Sequence, residues 1–271
     1  FVKERPDLMI LIDCLTLRVD VDIRPVFIYG RYRKLDRGIP QTRWPCRACR
    51  GRAEGCEACE GTGLQYPDSV QDLIGEPFRL VLSAEDTSFH GMGREDIDVR
   101  CLGRGRPFVL EVKRPKVRRT DLEEVMEAVN SNATGKIEIS DLRWTNRSEV
   151  SRIKETRAEK SYTIRFSVEE PPEESFIVDS ITKLSGVTLE QQTPKRVSHR
   201  RADKNRKRKV VSIDNVLVED NEVQFSVRCE AGTYVKELVH SDEGRTVPSV
   251  AGVLESPCEV IWLDVEDIHA D

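Results

Sequence analysis

Gly93-Arg94-Glu95-Asp96-Ile97-Asp98-Val99-Arg100-Cys101-Leu102-Gly103-Arg104-Gly105-Arg106-Pro107-Phe108-Val109-Leu110-Glu111 is the stretch on which the fold turns. Its first half packs three acids and two arginines behind a glycine, just before an apolar run. Charge gathered at the start of a strand is typical of a site loop; a solvated surface loop is the plainer reading of the same composition. Ile97–Cys101 and Phe108–Lys113 read as strands, joined by a link from Gly103 to Pro107. No Ser/His/Asp order suggests a hydrolase, and no Gly-Lys-Thr/Ser loop is present to cradle phosphates.

Working outward, Leu8–Ile12, Leu17–Ile23, Val26–Tyr29 and Phe78–Ser83 read as strands. A basic loop is expected from Gly30 to Trp44, and a glycine-containing loop from Ser88 to Gly93. Thr120–Asn130 is expected to be a helix, with Thr120 and Glu123 as a capping box. Further helices are expected at Ser148–Arg157, Ser175–Ser185, Gly232–His240 and Ser249–Glu255. Strands are expected at Lys136–Ile139, Ser161–Val168, Val187–Glu190, Val210–Val218, Val223–Cys229 and Glu259–Leu263. Strict strand–helix alternation is absent, which argues against a doubly wound parallel sheet. The expected class is α+β: a mixed, mainly antiparallel sheet with flanking helices, plus a small zinc-binding loop.

The chain has 271 residues, 34% of them charged, and a net charge of -5. No apolar run reaches the roughly 20 residues of a membrane span, and no secretory signal is visible. A reduced, cytoplasmic protein without membrane contact is expected, as a monomer. The first residue is Phe1, so a fragment of a longer protein is expected. Residues 1–75 would form an N-terminal segment carrying the cysteine pairs and 76–271 the main domain. The acidic net charge hides a basic run, Lys195–Lys209, with nine Lys/Arg and the single acid Asp203. A second run covers Lys113–Arg119. Such stripes on an acidic body fit nucleic-acid binding or solvated faces.

Eight cysteines are present, four of them in Cys46-x-x-Cys49 and Cys56-x-x-Cys59. Two residues between thiols let both sulfurs approach one ion from a tight turn. Four thiolates suit tetrahedral Zn(II) and leave no open position for chemistry. The implied role is a stapled loop. Only six residues separate the pairs, a short link for two facing knuckles.

The stretch Gly93–Glu111 resembles the catalytic segment of the tRNA pseudouridine synthases of family ten, found in archaea and eukaryotes. Three more stretches resemble the same family: Gly30-Arg31-Tyr32-Arg33-Lys34 through Gln41-Thr42-Arg43-Trp44; Thr193-Pro194 through His199-Arg200-Arg201-Ala202-Asp203; and Gly232-Thr233-Tyr234-Val235-Lys236-Glu237-Leu238 through Asp242-Glu243-Gly244-Arg245-Thr246. The resemblance runs from about residue 7 to 254 and implies a pseudouridine synthase fold, a tRNA substrate and no catalytic cofactor. It also implies an RNA-binding domain upstream of this chain. It makes Asp96 the catalytic carboxylate, with Asp98 as its rival. Arg94 would help displace or hold the flipped nucleotide. Tyr162 would stack on the target base; read from the strand pattern alone it is a core residue. Lys236 would pair with the catalytic carboxylate, and Leu238 would pack beneath the site. Where a related synthase family carries Arg, this chain has Lys236, which keeps charge but not bidentate geometry.

The chemistry suits these residue types. Isomerising uridine breaks the N-glycosidic bond, turns the uracil and rebuilds the bond through carbon 5. An ionised carboxylate is needed, as nucleophile or as base, and an adjacent cation favours its charged form. The target must leave the RNA stack, and an aromatic ring supplies a replacement. The run Lys195–Lys209, with Arg200 and Arg201, would grip tRNA phosphates, and Arg31, Arg33 and Lys34 would extend that surface. The competing reading is a non-catalytic, zinc-dependent RNA-binding or chaperone-like module.

Overall fold

The structure is a computed structural model that describes residues 6–270, apart from the side chain of Arg200. It forms two compact units, and the chain crosses between them three times. The first unit comprises residues up to Ile97 together with Arg104–Thr156; the second comprises Asp98–Gly103 and the chain from Arg157 onward. The boundary expected at 75/76 falls inside a continuous helix instead.

In the first unit, β1 (Leu8–Asp13) and β2 (Arg18–Ile23) form an antiparallel hairpin of their own. The next elements are β3 (Val26–Lys34), α1 (Val70–Val81), β4 (Asp86–Gly91), β5 (Arg100–Lys113), α2 (Leu122–Asn132), β6 (Ile137–Thr145) and α3 (Arg147–Glu155). The strand order is β6-β3-β5-β4. β3 is buried on both faces along most of its length, as expected of a strand covered on both sides. A Cβ at Gly30 would lie 2.5 Å from Leu142 and 2.9 Å from Phe108, so any side chain there would have to displace them. α1 and α2 cover the sheet through Val70, Ile74, Phe78, Leu82, Val125 and Val129, against Ile28, Phe108, Leu110 and Ile139.

Several expectations are corrected here. Phe78 belongs to α1, not to a strand. Val70, Ile74, Phe78 and Leu82 recur every four residues and are all fully buried, which is the helical period. Pro77 inside the helix hides that pattern. The start of the basic loop, Gly30–Lys34, is the second half of β3, and Ser88–Gly91 lies in β4. α2 is capped by Asp121, whose side chain accepts from the Glu123 amide, rather than by Thr120. The two strands expected around the Gly103–Pro107 link form one long strand, β5.

The second unit contains β7 (Lys160–Val168), α4 (Glu174–Thr182), β8 (Thr188–Gln192), β9 (Asn205–Glu219), β10 (Glu222–Cys229), α5 (Val235–His240), β11 (Thr246–Val247), α6 (Val250–Leu254) and β12 (Cys258–Ile268). The order β11-β8-β9-β10-β7-β12 is antiparallel throughout, and the first residues of β5 add to β12 in parallel. The sheet is thus mixed and mainly antiparallel, as expected for the α+β class. Alternation of Ile164, Phe166 and Val168 on β7, and of Val223, Phe225, Val227 and Cys229 on β10, makes one buried face. Gly103, at φ +53°, lets β5 pass β12: a Cβ there would lie 1.9 Å from the Glu266 carbonyl oxygen.

Candidate active site

The charged loop between β4 and β5 is held from inside by Glu95. Its side chain is 0% exposed and lies 2.9 Å from the guanidinium of Arg106, itself 1% exposed. Tyr32 Oη donates to the same carboxylate at 2.9 Å, and Gln41 Nε2 donates to it at 3.3 Å. Gln41 also donates to the Tyr32 hydroxyl and to the Gly93 carbonyl, and Arg106 Nη1 donates to the Met92 carbonyl at 2.8 Å. A buried carboxylate is tolerated only when paired and hydrogen-bonded, and here the Arg106 guanidinium, the Tyr32 hydroxyl and the Gln41 amide surround it. With Glu95 turned inward, Arg94 on one side is exposed and Asp96 on the other is half-buried.

Lys34, fully buried at the end of β3, closes the loop's other end. Its ammonium donates to the carbonyls of Ile39 (2.8 Å), Ile97 (2.9 Å) and Asp96 (3.2 Å). Arg31 is also buried and donates to the Gly105 carbonyl at 3.0 Å. The expectation that Arg31 and Lys34 lie on a phosphate-gripping surface is therefore corrected. Both cations are buried and bind backbone oxygens inside the first unit. Arg33 alone of the three is exposed, and it pairs across the strands with Glu138.

In the second unit, Asp98 accepts from Lys236 Nζ at 2.7 and 3.0 Å. Lys236 projects from the first turn of α5, and Asp98 is 60% exposed. The start of α5 is held by a fully buried glutamine on β8: Gln191 donates to the Tyr234 carbonyl and accepts from the Tyr234 amide, each at 2.9 Å. Leu238 is fully buried on the same helix. Nearby in the chain, buried Asp264 on β12 accepts from the Arg100 guanidinium at 2.6 and 3.1 Å, fixing the start of β5. Tyr162, on β7, is half-buried on the face that carries Ile164 and Phe166, with Val227 and Val265 as its cross-strand partners. Arg94 and Asp96 thus belong to the first unit; Asp98, Tyr162, Lys236 and Leu238 belong to the second.

The family described as "Pus10, C-terminal" matches residues 27–269. The chain belongs to this Pus10 C-terminal family. It is 49% identical over 265 residues to a protein from Methanothrix thermoacetophila named "tRNA pseudouridine synthase Pus10", and 46% identical over 269 residues to one of the same name from Methanocaldococcus jannaschii. These alignments cover 97% and 98% of this chain but 58% of each relative, so the chain spans less than two thirds of their length. Among solved structures, a chain of a "Cbf5-Nop10-Gar1 Complex" is similar at a TM-score of 0.47 and 17% identity, over 88% of this chain and 48% of that one.

Two further features of this Pus10 C-terminal region bear on its chemistry. The sulfurs of Cys46, Cys49, Cys56 and Cys59 all lie within 4.8 Å of one another, so the four cysteines can hold a metal ion. The short link between the pairs is no obstacle, because the Pro45–Leu64 bridge and the Cys46 amide to Gly63 carbonyl bond close the loop at its base. The Ala53 amide holds the Cys49 thiol down to about 6, while the neighbouring Cys59 thiol pushes Cys56 up to about 11.

The basic run is more tethered than its composition suggests. Lys195 pairs with Glu243, Arg196 with the buried Glu237 at 2.6 Å, and Arg201 Nη1 donates to the Tyr234 hydroxyl at 3.1 Å. Lys204, Arg206, Lys207, Arg208 and Lys209 belong to or adjoin β9, and the Arg200 side chain lies outside the described residues. The second run is largely neutralised: Lys113 pairs with Asp86, Arg114 with Glu85 and Arg118 with Asp7. These last residues line a cleft of about 820 Å³ in the first unit whose cations and carboxylates nearly balance. Sequence reasoning gave no role to Glu95, Gln41, Arg106, Gln191 or Asp264. The first three stand inside the motifs that carry the family resemblance, and that was their available signal. No helix among the described residues is long and apolar enough to cross a membrane.

Proposed function

We propose that this chain carries the catalytic region of a tRNA pseudouridine synthase acting on uridine in the TΨC arm, at position 54 or 55. The observation that carries the reading is the inward lock of Glu95. On either side of it in the chain, Arg94 is exposed and Asp96 half-buried. The names of the archaeal relatives support the same activity.

In this reading Asp96 is the carboxylate that either attacks the nucleoside or takes a proton from the sugar. The bond from C1′ to N1 breaks, the uracil turns, and a bond from C1′ to C5 forms. C5 gives up its proton and N1 gains one. Arg94 holds the extruded nucleotide, and Tyr162 stacks on the base that has lost its neighbours. Lys236 supplies positive charge in the second unit, where Asp98 is its partner. Its ion pair with Asp98 holds the ammonium at a set point. Arg201 and the exposed cations of Lys195–Lys209 contact tRNA phosphates. No nucleotide cofactor is needed.

The four cysteines fit a structural Zn(II). Zinc–sulfur bonds of about 2.3 Å set tetrahedral sulfur–sulfur edges of roughly 3.8 Å; here Cys46–Cys56 is 4.0 Å and Cys49–Cys59 is 3.8 Å. The Gly63 amide points at the Cys59 sulfur from 3.2 Å, a contact that suits a thiolate. A full set of four thiolates leaves the metal no position for substrate, so it staples the loop.

The test is pseudouridine formation on unmodified tRNA by the full-length protein, with Asp96→Asn and Asp98→Asn compared. Activity abolished by Asp96→Asn and merely reduced by Asp98→Asn is expected. Equal product from wild type and Asp96→Asn rejects that carboxylate. No product from any form, with tRNA still bound, favours a non-catalytic RNA-binding module.

A further inference from the structure

We propose that Lys34 and Glu95 are positioning residues that set the backbone of the Asp96 loop, and that Lys34 acts on the reaction through that backbone rather than by touching RNA. The inference rests on the synthase reading for its kinetic readout, and on geometry alone for its structural one.

Two buried charges of opposite sign grip a six-residue stretch. At its start, the Glu95–Arg106 pair, with Tyr32 and Gln41, ties the Met92 and Gly93 carbonyls to the sheet. At its end, Lys34 gathers the Asp96 and Ile97 carbonyls together with that of Ile39. The Ile97 carbonyl takes a second bond, from the Gly38 amide at 2.9 Å. The residues on either side of Asp96 therefore have fixed places, Glu95 by its side chain and Ile97 by its carbonyl.

Each grip is hard to release. Swinging Glu95 outward would strand the Arg106 guanidinium in the interior. Withdrawing Lys34 would leave carbonyls facing a cavity without a donor. Both outcomes carry large desolvation costs. The loop cannot slide by one residue either, because that would bring Arg94 or Asp96 into the pocket shaped for Glu95. Gly91 adds a steric stop, since a Cβ there would sit 2.9 Å from Gln41 Nε2. A carboxylate that must meet one atom of an extruded nucleoside gains from this rigidity, because misplacement by about 1 Å can cost on the order of 100-fold in rate.

The experiment uses full-length protein with Lys34→Met, which keeps an unbranched side chain one atom shorter and without charge, and Tyr32→Phe, which removes one donor to Glu95. For Lys34→Met the expected result is kcat lowered about 100-fold, with KM and tRNA affinity within about twofold and the salt dependence of binding unchanged. Hydrogen exchange at the Gly38 amide should quicken. Tyr32→Phe, the milder change, should lower kcat severalfold with binding intact, and it decides the matter if Lys34→Met does not fold. Unchanged kcat and unchanged Gly38 exchange overturn the proposal. Weaker tRNA binding with a shallower salt slope also overturns it, in favour of a direct phosphate contact. If wild type itself makes no pseudouridine, the synthase reading fails, and the exchange rate still judges the positioning.

Discussion

Replacing Glu95 by Gln should cost the first unit far more stability than its near-isosteric size suggests. The change leaves volume and most hydrogen bonds in place but removes the charge opposite Arg106, whose side chain is 1% exposed. Breaking a buried pair by removing one partner costs about 3–5 kcal/mol, because the other charge stays buried and uncompensated. For a domain of 150–250 residues, each kcal/mol is worth roughly 2–4 °C in melting temperature, so a drop of about 6–20 °C is expected. The pair Arg33–Glu138 is the internal control. It joins the same residue types, but its side chains are 46% and 39% exposed, and Glu138→Gln should cost less than about 1 kcal/mol. A Glu95→Gln, Arg106→Met double variant should recover part of the loss, because neither charge remains buried. Urea unfolding and calorimetry on all four proteins decide the issue. A cost below about 1 kcal/mol for Glu95→Gln, equal to that of the exposed pair, would refute the claim that buried charge locks this loop.

Gly103→Ala should destabilise the second unit by more than about 4 kcal/mol, because the new Cβ meets the Glu266 carbonyl at 1.9 Å. Gly38→Ala, also at positive φ but with nothing within 4 Å, should cost only backbone strain of about 1–3 kcal/mol, and urea titration separates the two. Purified protein should contain one zinc per chain, and Cys46→Ser should lose it while the remaining fold persists; metal analysis with circular dichroism checks both. The Glu149 carboxyl is held below its ordinary 4.5, first by the Arg152 hydrogen bond and then by Arg143. Its folded value is depressed, so its contribution is present above pH 4.5 and is lost as pH falls through the lower, folded value. Glu149→Gln should therefore flatten the fall of melting temperature with acidification below that pH, and leave it unchanged if the shift is absent.

Where local physics decides structure, the sequence was legible. The alternation in Ser161–Val168 and Val223–Cys229 gives β7 and β10 directly, since one buried face demands period two. The cysteine spacing foretold a four-sulfur cluster because ligand reach is short. The loop from Gly93 to Ile97 was recognisable from its charge and its family motif. Pro77 obscured α1, because proline breaks helices in most contexts and the four-residue recurrence of Val70, Ile74, Phe78 and Leu82 had to outweigh it.

Composition alone left open which charges go inside. Among Glu95, Asp96 and Asp98, nothing local marks Glu95 for burial, and among Arg31, Arg33 and Lys34 nothing local marks the first and last as internal. Those choices depend on partners distant in the chain: Tyr32, Gln41 and Arg106 for Glu95, and the carbonyls of Ile39, Asp96 and Ile97 for Lys34. A charge enters a protein interior only where opposite charge or oriented dipoles replace its water. That replacement is assembled by the tertiary fold, and it turned two expected surface cations into internal supports, Lys34 of the Asp96 loop and Arg31 of the Gly105 carbonyl on β5.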